Sequence, residues 1–509
     1  MERVTDWLQK RSIISPERVA LVNGSTNEMI TYRSLDARAA KWADYMKEKG
    51  IQKGDRIVFI AKNHPVCFEL LFACSKIGAV FVPLNWRLSS AEIISLASDC
   101  TPELIFFQAE FEPLIKDMMY GYKAEKIEGV SDQVYGGNEL ASQTPVTIDD
   151  PWIMIYTGGT TGKSKGVILS YRSINANALN TVISWNLTEG DSTITYLPTF
   201  HTGGLNALSL PILMIGGKVV TAERFQPLRA IDMLNQHGCT IVLLVPTMYH
   251  GLMEEDEFKD ASFPKMKVFL SGGAPCPGKV YDVFKAKGLQ FKEGYGLTEA
   301  GPNNFYIDPG KMKKGSIGKS MMLNEVKVVD HEGQLVKRGD VGELLLGGDH
   351  LFKEYWQRPE ETAAVLKEGW LHTGDLARVD HEGDYYIVGR KKDMIISGGE
   401  NIYPQEIEHW LCEHPSISEC AVVGLPHERW GEVVTAFITL REGRGISETE
   451  AKAHCLEKFG AYKIPKHYYF IEEIPKTDVG KVNKKVLVEN YIQKIKGKST
   501  RTSNSTNSR

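Results

Sequence analysis

The stretch YTGGTTGKSKG, Tyr156 to Gly166, decides which kind of α/β fold the chain adopts. Its segment Gly162-Lys163-Ser164 matches the end of the phosphate loop G-x-x-x-x-G-K-[ST]. That pattern requires a glycine five residues before Gly162, and the sequence has Thr157 there. The flanks disagree as well. A Walker loop leads from a strand into a helix, whereas WIMIY (Trp152–Tyr156) and VILSY (Val167–Tyr171) both read as strands, so the loop joins the arms of a hairpin. The composition still suits an anion, because glycine N–H groups can converge, threonine hydroxyls donate and lysine supplies charge. A glycine turn with surface lysines is the plainer alternative.

Upstream of the hairpin, helical and strand-like segments alternate. SLDARAAKWADYMKEKG (Ser34–Gly50) has a capping serine, helical apolar spacing and a closing glycine. DRIVFIA reads as a strand, CFELLFACSKIG as a helix and AVFVPLN as a strand, which predicts a parallel sheet with crossover helices. Downstream, GGKVVTA, GCTIVLLVP and MKVFLSGG repeat the pattern. Ligands of such sheets sit beyond the carboxyl ends of the strands, which makes LVPT and LSGGAP candidate pocket loops.

After about residue 315 the texture changes. EVKVVDHEGQLV, GELLLGG and ARVDHEGDYYIVGRK read as antiparallel strands, with turns at Asp330–Gly333 and Asp380–Gly383. Beyond Arg390 to Lys392 comes a helix at YPQEIEHWLCEHP, strands at ECAVVGLP and VVTAFITLRE, and a helix at ETEAKAHCLEKFG, which together make a small α+β domain. The expected division is residues 1–390, 391–495 and a disordered tail at 496–509, rich in Ser, Thr and Asn.

Bulk properties narrow the class. A chain of 509 residues exceeds one compact core. A net charge of −4 gives no general reason to bind nucleic acid or anionic membrane. The eight cysteines form no C-x-x-C pair and read as buried thiols of a reducing compartment. No apolar run approaches the ~20 residues of a membrane span. The expectation is a soluble cytoplasmic protein that binds small molecules, with a homodimer left open.

The remaining motifs follow in order: LPTFHTGGLN (Leu197–Asn206), GYGLTE (Gly294–Glu299), WLHTGDLA (Trp370–Ala377), YYIVGRKKDMIISGGENIYPQEIE (Tyr385–Glu408) and PKTDVGKVNK (Pro475–Lys484). With the opening stretch they resemble the adenylate-forming superfamily of acyl-CoA synthetases, luciferases and peptide-synthetase adenylation domains. The specific likeness is to fatty-acyl-CoA synthetases and coumarate-type CoA ligases. The resemblance implies a large α/β adenylation domain with a β-rich subdomain and a small mobile α+β domain. It also implies a reaction in two halves. A carboxylate attacks the α-phosphate of MgATP to give acyl-adenylate and pyrophosphate, and the coenzyme A thiol then displaces AMP.

By that resemblance, Thr157, Gly158, Gly159, Thr160, Thr161, Gly162, Lys163 and Lys165 hold the phosphates. The family usually has serine-glycine at Gly158-Gly159 and proline at Ser164, so one hydroxyl is lost and the loop surrenders more freedom. Glu299 resembles the magnesium carboxylate, Thr298 the α-phosphate contact and Tyr295 the adenine stack, with Gly273, Ala274 and Pro275 beside the adenine and ribose. Asp375 matches the carboxylate that accepts from the ribose hydroxyls, and Arg390 a second ribose or phosphate contact. Lys481 resembles the catalytic lysine that bridges the attacking carboxylate and the α-phosphate, and Lys392 the hinge. Ser397, Gly398 and Gly399 would meet the pantetheine arm of coenzyme A. His201, Gly203, Gly204, Val245, Gly272 and Gly296 would border the acyl pocket, the glycines by making room.

The cofactor set is therefore ATP, Mg2+ and coenzyme A. A fatty acid is the favoured substrate, with an aryl or cinnamate-like acid next. An adenylation enzyme that loads a carrier protein is a further reading. Such domains usually follow the phenylalanine with aspartate, where this chain has Phe200-His201, and no GGxS carrier motif is present. A non-catalytic nucleotide-binding relative is disfavoured by the joint presence of Glu299, Asp375, Arg390, Lys392 and Lys481.

Overall fold

The computed structural model describes residues 2–116, 121–136, 144–157, 164–308, 313–476 and 482–491. They fall into two compact units. The first comprises Met1–Cys276, Asp282–Lys327 and Leu345–Thr373, and the second Pro277–Tyr281, Val328–Leu344 and Gly374–Arg509.

The first unit is built on parallel sheets, as the alternation predicts. Its largest sheet runs in the order Glu354–Tyr355, Lys165–Ser170, Pro151–Thr157, Val80–Pro83, Arg56–Ile60, Leu104–Phe107, Ala124–Lys126. From Val80–Pro83 to Ala124–Lys126 neighbouring strands are parallel. RIVFI, VFVP and LIFF are almost wholly buried, as strands covered on both faces must be. Pro151–Thr157 and Lys165–Ser170 form the expected antiparallel hairpin, with Thr157 opposite Lys165 and Tyr156 opposite Gly166.

One helix start differs from its prediction. The helix Tyr32–Glu48 is capped by Thr31, whose hydroxyl accepts from the Ser34 N–H at 3.2 Å. Thr31 has the extended backbone that lets its oxygen reach the first free amides, while Ser34 already lies in the first turn.

A second parallel set places the candidate loops. Ile241–Leu244, Val268–Ser271 and Phe291–Glu293 lie side by side in that order. Val245, the Gly272–Pro275 segment and the Gly294–Glu299 segment leave the carboxyl ends of these neighbours, where ligands of open α/β sheets bind.

In the second unit, Asp380 and Asp330 close the two predicted turns. Gly383 N donates to Asp380 O at 3.0 Å and Gly333 N to Asp330 O at 3.2 Å. Beyond them, Glu400–Ile402, Ile395–Ser397, Gly431–Leu440 and Ile417–His427 form an antiparallel sheet, which His467–Phe470 joins in parallel. Helix Pro404–Cys412 packs Ile407 and Leu411 against Ile395, Ile417, Val422, Val434 and Ile438 of that sheet. Helix Glu448–Leu456 starts at a capping box of Ser447 and Glu450.

Seven of the eight cysteines are buried and Cys412 nearly so, all as free thiols. Among the described residues no helix is long and apolar enough to cross a membrane.

Candidate active site

The hairpin that flanks the phosphate-loop motif is clamped from its outer side. Strand Glu354–Tyr355 pairs with Lys165–Ser170, Tyr355 facing Val167, and Trp356 N donates to Gly166 O at 2.7 Å. Asp99 gathers the neighbouring side chains. It accepts from the Tyr156 hydroxyl at 2.7 Å and from Arg358 at 2.9 Å, while its carbonyl accepts from Trp356 Nε1 at 3.1 Å. Gly158, Gly159, Thr160, Thr161, Gly162 and Lys163 lie outside the described residues. The two ends of the motif, Thr157 and Lys165, are therefore held in register by the sheet.

Lys165 sits 4.9 Å from the centre of the Tyr355 ring and pairs with Glu361. The Tyr355 hydroxyl donates to Glu299 Oε1 at 2.8 Å. Burial raises the Tyr355 phenol well above its ordinary range, and the Glu299 charge adds to that shift. The structure thus brings Lys165 and Glu299, predicted for phosphate and metal, to one aromatic side chain, Lys165 over its ring and Glu299 at its hydroxyl. Sequence reasoning did not single out Tyr355.

The GYGLTE segment passes from the end of Phe291–Glu293 into a short 3-10 turn, Thr298–Ala300. Thr298 is buried within it, whereas Glu299 is partly exposed. Tyr295 meets Phe305 edge-on, ring centres 5.7 Å apart, and its carbonyl accepts from Asn304 N at 3.1 Å. Gly273, Ala274 and Pro275 are exposed at the adjoining strand end, and Cys276 N donates to Glu293 Oε1 at 3.1 Å.

Not every predicted pocket glycine makes room. A Cβ on Gly204 would lie 2.2 Å from the Pro198 carbonyl oxygen, and one on Gly296 would lie 2.2 Å from that of Pro302. Backbone already fills the space a side chain would take, so both glycines serve close chain approach. Gly272 and Gly273 are different, meeting only Leu243 at 3.3 Å and Val245 at 3.7 Å. His201 caps the turn Thr202–Leu205, its Nδ1 accepting from Gly203 N at 3.1 Å. The neutral ring then carries its proton on Nε2.

In the second unit, Asp375 and Arg390 are direct cross-strand partners, and Arg390 Nε lies 2.6 Å from Asp375 Oδ1. Lys392 is exposed in the 3-10 turn Lys391–Asp393, whose Lys391 pairs with Glu343 at 2.9 Å. Ser397 pairs with Glu400 across a two-residue turn. Its residues Gly398 and Gly399 have φ of +61° and +89°, which a primed hairpin turn requires. Lys481 lies outside the described residues, although Lys476 and Val482 pair across an isolated bridge.

A magnesium ion suits this donor set. Glu299 uses Oε1 for Tyr355, and Oε2 has no partner among the described residues. Those residues hold no cluster of three or more acidic, histidine or cysteine ligands. One carboxylate with an open oxygen fits an ion that takes its remaining ligands from phosphate and water.

Known proteins match this chain over most of its length. A family model described as AMP-binding enzyme matches residues 8–356, and one described as AMP-binding enzyme C-terminal domain matches residues 406–481. A feruloyl-CoA synthase of Amycolatopsis sp is 35% identical over 480 residues, covering 94% of this chain and 97% of its own. A long-chain-fatty-acid–CoA ligase of Mycobacterium tuberculosis, FadD13, is 33% identical over 503 residues, covering 96% and 99%. The crystal structure of ATP-bound MatB from Rhodopseudomonas palustris superposes with a TM-score of 0.89 at 30% identity, covering 96% of this chain and 99% of that one.

Proposed function

The chain belongs to the AMP-binding enzyme family, and from that premise we propose that it joins an apolar carboxylic acid to coenzyme A. It is an AMP-forming acid–CoA ligase, an enzyme class shared with its relatives. The observation that carries the reading is the single ring of Tyr355, which links Lys165 at the base of the phosphate-loop motif to Glu299.

In this reading the Thr157–Lys165 loop grips the β- and γ-phosphates, and Thr298 bonds the α-phosphate. Glu299 would hold magnesium, which offsets the charge that develops as pyrophosphate leaves. Tyr295, Gly273, Ala274 and Pro275 border the adenine, and Asp375 with Arg390 receives the ribose. Lys481 stabilises the charge of the adenylation transition state. Residues beyond Lys392 then move as a domain, and Ser397, Gly398 and Gly399 admit the pantetheine thiol. Free buried thiols suit a reducing, cytoplasmic setting.

A fatty acid remains the first choice of substrate, supported by the likeness to FadD13. An aryl or cinnamate-type acid is the second reading, favoured by the feruloyl-CoA synthase. Gly204 lends neither any weight, because the Pro198 carbonyl occupies its side-chain space. The deciding experiment is CoA ligation across a panel of fatty, cinnamic and short acids, with AMP and thioester both measured. Thioester from long-chain acids alone supports the first reading, and from hydroxycinnamates alone the second. Absence of AMP with every acid would refute ligase activity.

A further inference from the structure

We propose that Tyr355 is a positioning residue that aims the Glu299 carboxylate at the metal and couples it to Lys165. The inference rests on the metal reading of Glu299 given above.

Two groups of Glu299 are tied to one short segment. Its carbonyl accepts from Phe352 N at 2.7 Å, and its Oε1 accepts from the Tyr355 hydroxyl at 2.8 Å. A glutamate carboxylate otherwise samples several rotamers, and each would point its charge elsewhere. Held by Oε1, the side chain keeps Oε2 for a ligand. The donor is itself fixed. Tyr355 is only 6% exposed, its N–H donates to Thr362 Oγ1 at 2.9 Å, and its ring packs on Phe352 with centres 4.9 Å apart. Its strand is paired in register to Lys165–Ser170, which anchors the backbone from which the ring projects.

The ring's face supports Lys165 at 4.9 Å while its hydroxyl holds Glu299. One side chain therefore sets the spacing between a phosphate-binding cation and a metal-binding anion. Preorganised supports of this kind tune affinity without touching the ligand.

The test compares wild-type full-length protein with Tyr355→Phe, Glu299→Gln and the double variant. Tyr355→Phe keeps the ring beneath Lys165 and deletes only the donor. Mn2+ binding is measured by electron paramagnetic resonance in the presence of α,β-methylene-ATP, with the melting temperature of each variant recorded. Tyr355→Phe is expected to weaken Mn2+ about tenfold, within the range of a hydrogen bond to a charged group. The double variant should bind Mn2+ no more weakly than Glu299→Gln alone, since the tyrosine acts through the carboxylate. Unchanged Mn2+ affinity in Tyr355→Phe, or full additivity in the double variant, would overturn the proposal. Glu299→Gln with wild-type Mn2+ affinity would instead overturn the metal assignment, and the positioning role with it. A melting temperature lowered without any change in Mn2+ affinity would mark a merely structural tyrosine and also overturn it.

Discussion

Arg390 Nε stands 2.6 Å from Asp375 Oδ1, directly across a pair of antiparallel strands. The Asp375 side chain is 4% exposed and that of Arg390 37%, so the arginine is the accessible partner of a carboxylate set back in the strand. A ribose diol that bonds Asp375 must share it with a guanidinium already in place.

Asp375→Asn preserves shape and removes the charge that both partners use. ATP affinity should fall about tenfold or more, as expected for lost hydrogen bonds to a charged acceptor. Calorimetric titration of ATP into the variant checks this, and an unchanged dissociation constant would falsify the ribose assignment.

The two half-reactions should separate by mutation. Lys481→Ala is expected to lower acid-dependent pyrophosphate exchange by about a hundredfold or more, the usual loss for a group aimed at transition-state charge. Thioester formation from supplied acyl-adenylate should survive. Lys392→Pro should do the reverse, slowing the CoA step more than the first. Equal losses in both halves for either variant would count against domain alternation.

Gly204→Ala should destabilise the first unit by about 2 kcal/mol or more, because its Cβ would lie 2.2 Å from the Pro198 carbonyl. The expected readout is a lower melting temperature with every acid equally affected. A variant that folds normally and merely prefers shorter acids would show that Gly204 lines the pocket after all.

His350 predicts an acid weakness. It is 2% exposed, neither ring nitrogen has a partner among the described residues, and burial lowers its pKa to about 4. The unfolded chain takes up this proton near pH 6.5, the folded chain only near 4. Between those values the unfolded state binds more protons. The contribution of this histidine to stability is therefore full above about pH 6.5, falls as pH drops through the window and levels off below about 4, a loss of up to about 3 kcal/mol. Urea unfolding at pH 7 and pH 5 should show that slope, and His350→Leu should reduce it, leaving the part due to His64, His237, His409 and His414, whose pKa values burial also lowers.

The hairpin around residues 156–166 was legible because its arms are short apolar runs on either side of glycine, and the strand ends carrying Val245 and Gly272 because parallel strands read as unbroken apolar segments. Ser34 reads as the cap in place of Thr31 because both are good capping residues and only backbone conformation separates them. Gly204 read as empty space because sequence reports the missing side chain and not the Pro198 carbonyl that fills it. Tyr355 escaped entirely. Its partner Glu299 is 56 residues away, and no periodicity links them. Such a contact exists only once Glu354–Tyr355 docks on Lys165–Ser170.

That docking also sets the order in which the site can be finished. During synthesis the strand Lys165–Ser170 emerges with one flank already satisfied by Pro151–Thr157. Its other flank waits for Glu354–Tyr355, which a ribosome adding ~5–20 residues per second delivers on the order of ten seconds or more later. Until then the nascent chain carries an open sheet edge beside the phosphate-loop motif, the kind of edge that pairs with strangers. The segment that later steadies Glu299 is therefore also the one that closes this edge to aggregation.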